Sequence, residues 1–362
     1  MRTSAIGIMS GTSLDGLDLA FCHFIYDGKW HFEITKTAFI GYDEAWRHLL
    51  ATAHRIPKTE LQELDIRFGK YIAQQVNRFL AENRLPKPDL VCSHGHTVFH
   101  DPSKKYTLQI GSGRIISEET GLNCVSDFRS LDVALGGQGA PLVPIGDALL
   151  FSQFEACLNL GGFSNISFRE AEKRVAFDIC PVNIALNPLA ELLGKPFDRN
   201  GEMARSGNIE TELLHQLNSL SIYNDANRPS LSREWLEKTF LPLIKNSAAT
   251  THDKLRTLTE HSAQKIAAVI NANIPEGQIL ITGGGAKNGF LMERISTLSH
   301  AKIIIPSSEI IDFKEALIFA FLGVLRWHDK INVLSSVTGS ERDSSSGIIH
   351  VGTNGNTPSI KH

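Results

Sequence analysis

A strand, a tight turn of small residues and a returning strand open this chain, and this pattern constrains its fold most. Residues 5–9 are apolar, Gly11, Thr12 and Ser13 follow, and residues 17–26 resume an apolar alternation. Such alternation predicts two antiparallel strands joined as a hairpin. Backbone N–H groups that converge at a tip of small residues attract anions, phosphate above all. The segment predicts either a phosphate-binding turn or an ordinary turn rich in Gly and Ser.

Two carboxylates, Asp15 and Asp18, lie just beyond the tip of this hairpin. Carboxylates beside phosphates are typical of sites where Mg²⁺ lies between them, because this ion prefers hard oxygen ligands. The functional interpretation is therefore a nucleotide-phosphate turn with a magnesium ion. The alternative is a turn with two solvated aspartates, since glycine-rich turns are common.

The second half of the chain repeats the plan of the first. Residues 156–160 form an apolar strand, Gly161 and Gly162 provide a small-residue turn, and residues 278–282 form a strand that ends in three glycines. At 362 residues the chain is also too long for a single core. The duplication predicts an α/β protein of two similar units whose hairpins hold a nucleotide between them.

Composition excludes several classes of protein. The hydrophobic content is 42%, and the net charge of −3 gives no basic footprint for nucleic acid. No apolar run approaches the ~20 residues of a membrane span, and the N-terminal residues lack the apolar segment of a signal peptide. The five cysteines lie far apart without a CxxC pair, which is typical of reduced core thiols. We expect a cytoplasmic protein that binds neither nucleic acid nor membranes.

Three histidines, His94, His96 and His100, have the spacing of a metal site. Imidazoles at such intervals can converge on a transition metal. No further acidic or histidine cluster follows at a matching place, so we expect no metal ligands here. The alternatives are histidines bonded within a loop or histidines that hydrogen-bond a sugar.

Several distinctive segments are spread along the chain, namely residues 11–18, 93–95, 107–111, 127–132, 134–144, 158–165 and 335–339. Together they closely resemble the anhydro-N-acetylmuramic acid kinase family, part of the superfamily of actin, sugar kinases and heat-shock chaperones. The resemblance implies an actin-like ATPase fold: α/β, with two ribonuclease-H-like domains and an ATP cleft between them. The expected domains are residues 1–133 plus about 330–362, and residues 134–329.

The resemblance also implies a reaction and its partners. The family uses ATP and water to open 1,6-anhydro-N-acetylmuramic acid and to phosphorylate O6, which gives N-acetylmuramic acid 6-phosphate in cell-wall recycling. The expected cofactors are ATP and Mg²⁺, the expected partner is a small-molecule sugar, and the family suggests a homodimer. Two alternatives stay open: another sugar kinase of the same fold, or a sensor that binds ATP or muropeptides without turnover.

Asp178 is the expected catalytic base. It ends an apolar strand and precedes Ile-Cys-Pro, so it should be poorly solvated. A carboxylate within hydrogen-bond reach of water can take its proton. A strand-end aspartate that caps a turn is the alternative. The expected ATP contacts are Gly11, Thr12, Ser13, Leu14, Asp15, Gly16, Leu17, Asp18, Gly161, Gly162, Gly283, Gly284 and Gly285.

The expected substrate contacts are His94, Gly95, Arg129, Asp132, Gln138 and Asn183. A guanidinium such as that of Arg129 suits bidentate contact with a carboxylate or phosphoryl group, and a structural ion pair with Asp132 is the alternative. The chain departs from the family in two of these places. It has His96 where the family usually has Gln, and residues 178–183 lack two glycines that the family usually carries. The second departure keeps the sensor alternative open.

Overall fold

The computed structural model describes residues 1–11, 13–225 and 230–353, and the chain divides into two compact units. Unit 1 comprises Met1–Leu150 and Phe313–His362, and unit 2 comprises Phe151–Asp312. The strands are β1 (Arg2–Ser10), β2 (Gly16–Tyr26), β3 (Trp30–Gly41), β4 (Leu90–Asp101), β5 (Tyr106–Ile110), β6 (Asn123–Ser126), β7 (Ala156–Leu160), β8 (Phe163–Glu170), β9 (Lys173–Pro181), β10 (Gln278–Thr282), β11 (Lys302–Ile304) and β12 (Ile348–His350).

Helices follow the strands in both units. They are α1 (Glu44–Thr52), α2 (Lys58–Glu82), α3 (Gly113–Thr120), α4 (Ser130–Ala134), α5 (Val143–Leu150), α6 (Asn183–Leu192), α7 (Glu202–Ser206), α8 (Thr211–Asn218), α9 (Arg233–Trp235), α10 (Leu241–Asn246), α11 (Thr251–Asn273), α12 (Gly289–Leu298), α13 (Ser308–Trp327) and α14 (Ser335–Thr338). A π-helical turn over Leu236–Phe240 joins α9 to α10. Local capping sets several of these starts; Asp43, for example, accepts a bond from the backbone N–H of Trp46 at 2.7 Å.

The two sheets share one strand order. In unit 1 the order is β12-β6-β4-β1-β2-β3, with β5 paired to β4, and in unit 2 it is β11-β10-β7-β8-β9. In each, three consecutive antiparallel strands form a meander, and the next strand pairs in parallel with the first of the three. This is the order of a ribonuclease-H-like sheet. The α/β class with two ribonuclease-H-like units is confirmed, whereas the cleft between the units stays a prediction.

Each unit has its own apolar core. Unit 1 buries Ile6, Phe21 and Phe68 beneath its sheet, and unit 2 buries Leu158 and Phe240. Full burial of such side chains contributes roughly 1.5–3 kcal/mol each. β4 runs from Leu90 to Asp101 through Gly95, whose φ of +73° lies in the left-handed region that favours glycine.

The division between the units differs from the one expected at residues 133 and 330. Helix α5 and the greater part of α13 belong to unit 1. A Cβ on Gly7 of β1 would lie 1.8 Å from the carbonyl oxygen of Ala316, so α13 packs directly on the sheet. The ammonium of Lys314 contacts the carboxylate of Asp147 at 2.7 Å, which ties α13 to α5. The sequence pattern could not assign an apolar helix to one of two similar sheets.

Among the residues that the structure describes, no helix is both long enough and apolar enough to cross a membrane.

Candidate functional site

The first hairpin turn is organised by its own side chains. The Oδ1 atom of Asp15 accepts bonds from the hydroxyl of Ser13 at 2.7 Å and from the N–H of Gly16 at 3.0 Å. Leu14 adopts a left-handed φ of +59°, and Gly11 does not require a positive φ. Thr12 lies outside the described residues. The described part of this turn, residues 13–16, is therefore held by hydrogen bonds within the protein.

The strand that leaves this turn is packed on the unit 1 core. Leu17 is fully buried, and a Cβ on Gly16 would lie 2.3 Å from the carbonyl oxygen of Ile40. The side-chain positions of Gly16 and Leu17 are thus used for packing, and only their backbone can contact a nucleotide. Asp18 lies opposite Met9 on the β1–β2 ladder. The expected contacts in this segment therefore concentrate at its tip.

A buried hydroxyl network supports the turn from behind. The hydroxyl of Ser10 lies 2.7 Å from that of Tyr42 and 3.1 Å from Nδ1 of His96. The N–H of Tyr42 donates to the carbonyl of Asp15 at 3.0 Å. Burial lowers the pKa of His96 to about 4, so its imidazole is neutral at pH 7. His96 consequently supports the turn through Ser10.

The half-buried Arg129 pairs with His94, a buried residue within β4. Nε and Nη2 of Arg129 both donate to Nε2 of His94, at 3.0 Å and 2.9 Å, and Nη1 donates to the carbonyl of Gly139 at 2.6 Å. Burial, followed by the charge of Arg129, lowers the pKa of His94 to about 3. Burial lowers the pKa of Arg129, and the carboxylate of Glu315 opposes that shift. Because both ring nitrogens of His94 have protein partners, the imidazole orients Arg129.

Both carboxylate oxygens of Asp132 accept hydrogen bonds from within the protein. It is fully buried, its Oδ2 accepts from the N–H of Gly139 at 2.7 Å, and its Oδ1 accepts from the hydroxyl of Thr338 at 2.7 Å. The expectation that Asp132 contacts substrate stays a prediction. The N–H of Gln138 donates to the carbonyl of Thr338 at 2.8 Å, while its side chain is exposed. Asp132 and Thr338 therefore hold the backbone on which Gln138 is presented.

A polar cavity of about 200 Å³ lies beside this group in unit 1. Its walls include His94 and Gly95 from β4, together with Ser93, Ser126 and Ser130. The cavity suits a small polar group. Of the substrate contacts expected in unit 1, His94 and Gly95 line this cavity, whereas Arg129, Asp132 and Gln138 do not.

In unit 2 the second hairpin turn meets the glycine loop. Asn183 at the start of α6 donates from Nδ2 to the carbonyl of Leu160 at 3.3 Å, and Ile184 donates from its N–H to the carbonyl of Gly162 at 3.2 Å. A Cβ on Gly283 would lie 2.5 Å from Oδ1 of Asn159, and one on Gly285 would lie 2.7 Å from Cβ of Leu160. The structure therefore brings together the expected contacts Gly161, Gly162, Asn183, Gly283, Gly284 and Gly285.

Asp178 lies near the end of β9, opposite Asn165 of β8. It is half-buried, and its Oδ2 accepts a hydrogen bond from the N–H of Leu231 at 2.9 Å. Burial raises the pKa of Asp178, and the bond from Leu231 opposes that shift. A carboxylate with a raised pKa and one fixed oxygen has the properties of a general base near neutral pH.

The three histidines have separate partners. His94 bonds Arg129, His96 bonds Ser10, and Nδ1 of His100 lies 3.1 Å from the hydroxyl of Thr107. Within residues 1–11, 13–225 and 230–353, no group of three His, Cys, Asp or Glu side chains is arranged to hold a metal ion.

A family model described as anhydro-N-acetylmuramic acid kinase matches residues 3–352. The chain belongs to the anhydro-N-acetylmuramic acid kinase family. A kinase of that name from Mannheimia succiniciproducens is 36% identical, with 96% of this chain and 99% of the relative covered. One from Pasteurella multocida is also 36% identical, over 95% of this chain and 96% of the relative. One from Sulfurimonas denitrificans is 34% identical, over 95% and 98% respectively.

Membership of the anhydro-N-acetylmuramic acid kinase family makes the chain an ATP-dependent sugar kinase with a small-molecule sugar as substrate.

The sequence analysis did not identify several residues that shape the candidate sites. Leu231 acts through its backbone, which no residue type signals. Ser10 and Tyr42 carry hydroxyls whose partners are far apart in the chain. Glu315 is also absent from the residues expected in the site, although its charge acts on Arg129.

Proposed function

We propose that this kinase opens 1,6-anhydro-N-acetylmuramic acid with water and transfers the γ-phosphoryl group of ATP to O6, giving N-acetylmuramic acid 6-phosphate in the cytoplasm. The observation that supports the chemistry best is Asp178, a half-buried carboxylate with a raised pKa in a family member matched over residues 3–352. The named relatives support the choice of sugar.

In the proposed step, Asp178 takes a proton from water as the water oxygen attacks C1 of the sugar. The C1–O6 bond breaks, O6 forms a bond to the γ-phosphorus, and the bond from that phosphorus to the bridging oxygen breaks to release ADP. A general base contributes roughly 10²–10⁴-fold to such a rate. Positioning of the reacting groups provides much of the remainder.

The proposed ATP contacts are the turn at Gly11–Asp18, the turn at Gly161 and Gly162, and the loop at Gly283–Gly285. The exposed position of Gly162 supports this proposal, since its backbone is accessible to phosphate oxygens. Arg129, Gln138, Gly95 and Asn183 are the proposed sugar contacts, and His94 acts through Arg129. Asp132 stays among the proposed sugar contacts, and the bonds that its two oxygens accept also hold the backbone that carries Gln138.

The donor set near the first turn fits Mg²⁺, since the carboxylates of Asp15 and Asp18 offer the hard oxygens that this ion prefers. When bound, the ion offsets the negative charge of the phosphates. Asp15 already has one oxygen fixed by Ser13 and Gly16, so its carboxylate orientation is set by the turn. A homodimer, which the family suggests, is a further part of the proposal.

Product analysis in ¹⁸O-labelled water tests the proposed reaction. With ATP, Mg²⁺ and 1,6-anhydro-N-acetylmuramic acid, mass spectrometry should find one ¹⁸O atom at C1 of the phosphorylated sugar, because water supplies that oxygen. Phosphorylation of non-anhydro sugars alone would identify a plain sugar kinase. ADP release that no sugar stimulates would instead favour the sensor alternative.

A further inference from the structure

We infer that Ser164, a fully buried serine of β8, is a positioning residue for Asp178, because its hydroxyl holds the β-bulge that turns this carboxylate away from the core of unit 2. This inference rests on the proposed function, since it concerns the base of that reaction. In this role Ser164 acts on Asp178 through the backbone of β9.

One extra residue interrupts the pairing of β8 with β9 beside Asp178. Asn165 lies opposite Asp178 and Ser164 lies opposite Cys180, so Ile179 is the extra residue of the ladder. Such a β-bulge bends its strand and changes the direction in which the neighbouring side chains point. Bulges are over-represented next to active sites. The base of the proposed reaction is thus the residue immediately before a bulge.

The bulge places Asp178 and Cys180 on opposite faces of the sheet. Successive side chains of a strand point to opposite faces, so residues two apart in a regular strand share one face. Ser164 and Asn165 are successive residues, however, and their partners on β9 follow them to opposite faces. Burial agrees with this, because Ser164 and Cys180 are fully buried whereas Asn165 and Asp178 are half-buried. In a regular strand, Asp178 would share the buried face of Cys180.

The hydroxyl of Ser164 bonds both backbone polar groups of Cys180. It donates to the carbonyl of Cys180 at 3.0 Å and accepts from the N–H of Cys180 at 3.2 Å. The thiol of Cys180 lies 3.3 Å from the same oxygen. Removal of this hydroxyl takes a partner from two buried backbone groups at once, and such groups are costly to leave without a partner. Ser164 therefore stabilises the bulged form of β9.

The residues that follow the bulge are held by other bonds. The hydroxyl of Ser262 on α11 donates to the carbonyl of Pro181 at 3.1 Å. The N–H of Val182 donates to the carbonyl of Gly162 at 2.8 Å, which ties the end of β9 to the second hairpin turn. Loss of the Ser164 hydroxyl should therefore loosen the bulge and leave this turn in place.

The titration of Asp178 reports the state of the bulge. Burial raises the pKa of Asp178, and the hydrogen bond from the N–H of Leu231 to its Oδ2 opposes that shift. A loosened bulge turns the carboxylate toward the core or away from the Leu231 N–H, and both changes raise its pKa. The nearby thiol of Cys180 is uncharged at pH 7, because burial raises its pKa to about 12.

Ser164→Ala is the direct test, because it removes the hydroxyl and adds no bulk. Ser167→Ala is the matched control, since Ser167 is another buried serine of β8 and lies away from the bulge, opposite Ala176. The Ser167 hydroxyl accepts from Nη2 of Arg174 at 2.8 Å, so the control also loses a hydrogen bond. Kinetics of the full chain are measured with ATP and the anhydro sugar, and thermal unfolding checks that each variant is folded at the assay temperature.

Ser164→Ala should lower kcat about three- to tenfold, because the hydrogen bonds that orient the base are weakened. The KM for ATP should stay within about twofold of wild type, because the second hairpin turn keeps its own bonds. Ser167→Ala should keep the kcat of wild type. A wild-type kcat in folded Ser164→Ala, or an equal fall of kcat in the control, would overturn the inference.

A second readout separates this inference from the proposed function. The carboxyl ¹³C shift of Asp178 is followed by NMR against pH in wild type and Ser164→Ala, without ATP or sugar. If wild type does not turn over the anhydro sugar, the proposed function fails, yet a higher carboxyl pKa in the variant still supports the positioning role. An unchanged carboxyl titration refutes that role even in an active enzyme.

Discussion

Both Nε and Nη2 of Arg129 donate hydrogen bonds to the single atom Nε2 of His94, at 3.0 Å and 2.9 Å. A guanidinium cannot accept a hydrogen bond, so Nε2 carries no proton and the remaining ring proton lies on Nδ1, 2.9 Å from the carbonyl of Gly95. His94 is therefore a neutral acceptor that fixes the direction of Arg129.

This pairing predicts the titration of His94. Its pKa is lowered to about 3, so the ring should stay in the neutral Nδ1–H form from pH 8 down to pH 4 and become charged only below that. Ring ¹⁵N shifts from NMR will show this directly. A His94 ring that is protonated at pH 6 would contradict the bonding pattern.

Replacement of Asp178 by Asn should abolish turnover and leave ATP affinity nearly unchanged. The amide keeps the shape of the side chain but cannot take a proton at neutral pH, and loss of a general base costs roughly 10²–10⁴-fold. Steady-state kinetics and calorimetric titration with ATP measure the two effects. Asp27→Asn, on the exposed turn between β2 and β3, is the matched control. More than a tenth of the wild-type rate in Asp178→Asn would place the base elsewhere.

The pH profile of kcat follows from the raised pKa of Asp178. The base must be deprotonated to accept a proton, so activity should fall as the pH falls through its pKa in the folded protein. Because burial raises that pKa, the acid limb should lie above the usual range of an aspartate, near 3.9. Profiles measured with saturating ATP and sugar test this. An acid limb at or below pH 3.9 would mean that burial does not control this group.

Gly162 and Gly283 test two different reasons for a glycine, namely close contact with a ligand and close contact with the protein's own backbone. Gly162 has no positive φ, and a Cβ there would meet only Cβ of Ile184 at 3.5 Å, so Gly162→Val should fold normally. It should nevertheless raise the KM for ATP steeply if phosphates lie against this turn. Thermal unfolding and ATP titration separate the two effects. Unchanged ATP affinity in a folded variant would remove this turn from the ATP site.

Gly283→Ala should instead destabilise unit 2 itself. Its φ of +81° belongs to a region that side chains rarely adopt, and a Cβ would lie 2.8 Å from the backbone of Leu160. Such strain costs about 1–3 kcal/mol. Gly284→Ala is the control, since its Cβ would meet only Nδ2 of Asn183 at 3.7 Å. Equal melting temperatures for the two variants would contradict the packing described here.

The sequence predicted the two similar α/β units well because the hydrophobic periodicity indicates which segments form strands. The hairpins at residues 5–26 and 156–168 alternate clearly, and a small-residue turn marks each tip. The bonds of Asp132 could not be predicted from the sequence for a physical reason: its partner Thr338 lies 206 positions away, and only the folded chain shows that both carboxylate oxygens accept hydrogen bonds. The bond from Leu231 to Asp178 was equally invisible, since a backbone N–H has no sequence signature.

His96→Gln should be mild, with kcat and the KM for ATP within about threefold of wild type. Glutamine is the usual family residue there, and its amide can replace the bond to the Ser10 hydroxyl that supports the first turn. His96→Leu is the contrasting variant and should raise the KM for ATP, since Ser10 loses a partner.

Activity should depend on added Mg²⁺, because that ion binds ATP oxygens rather than imidazole. Elemental analysis completes the test: one equivalent of tightly bound zinc that disappears together with activity in His96→Gln would favour a metal-dependent hydrolase instead.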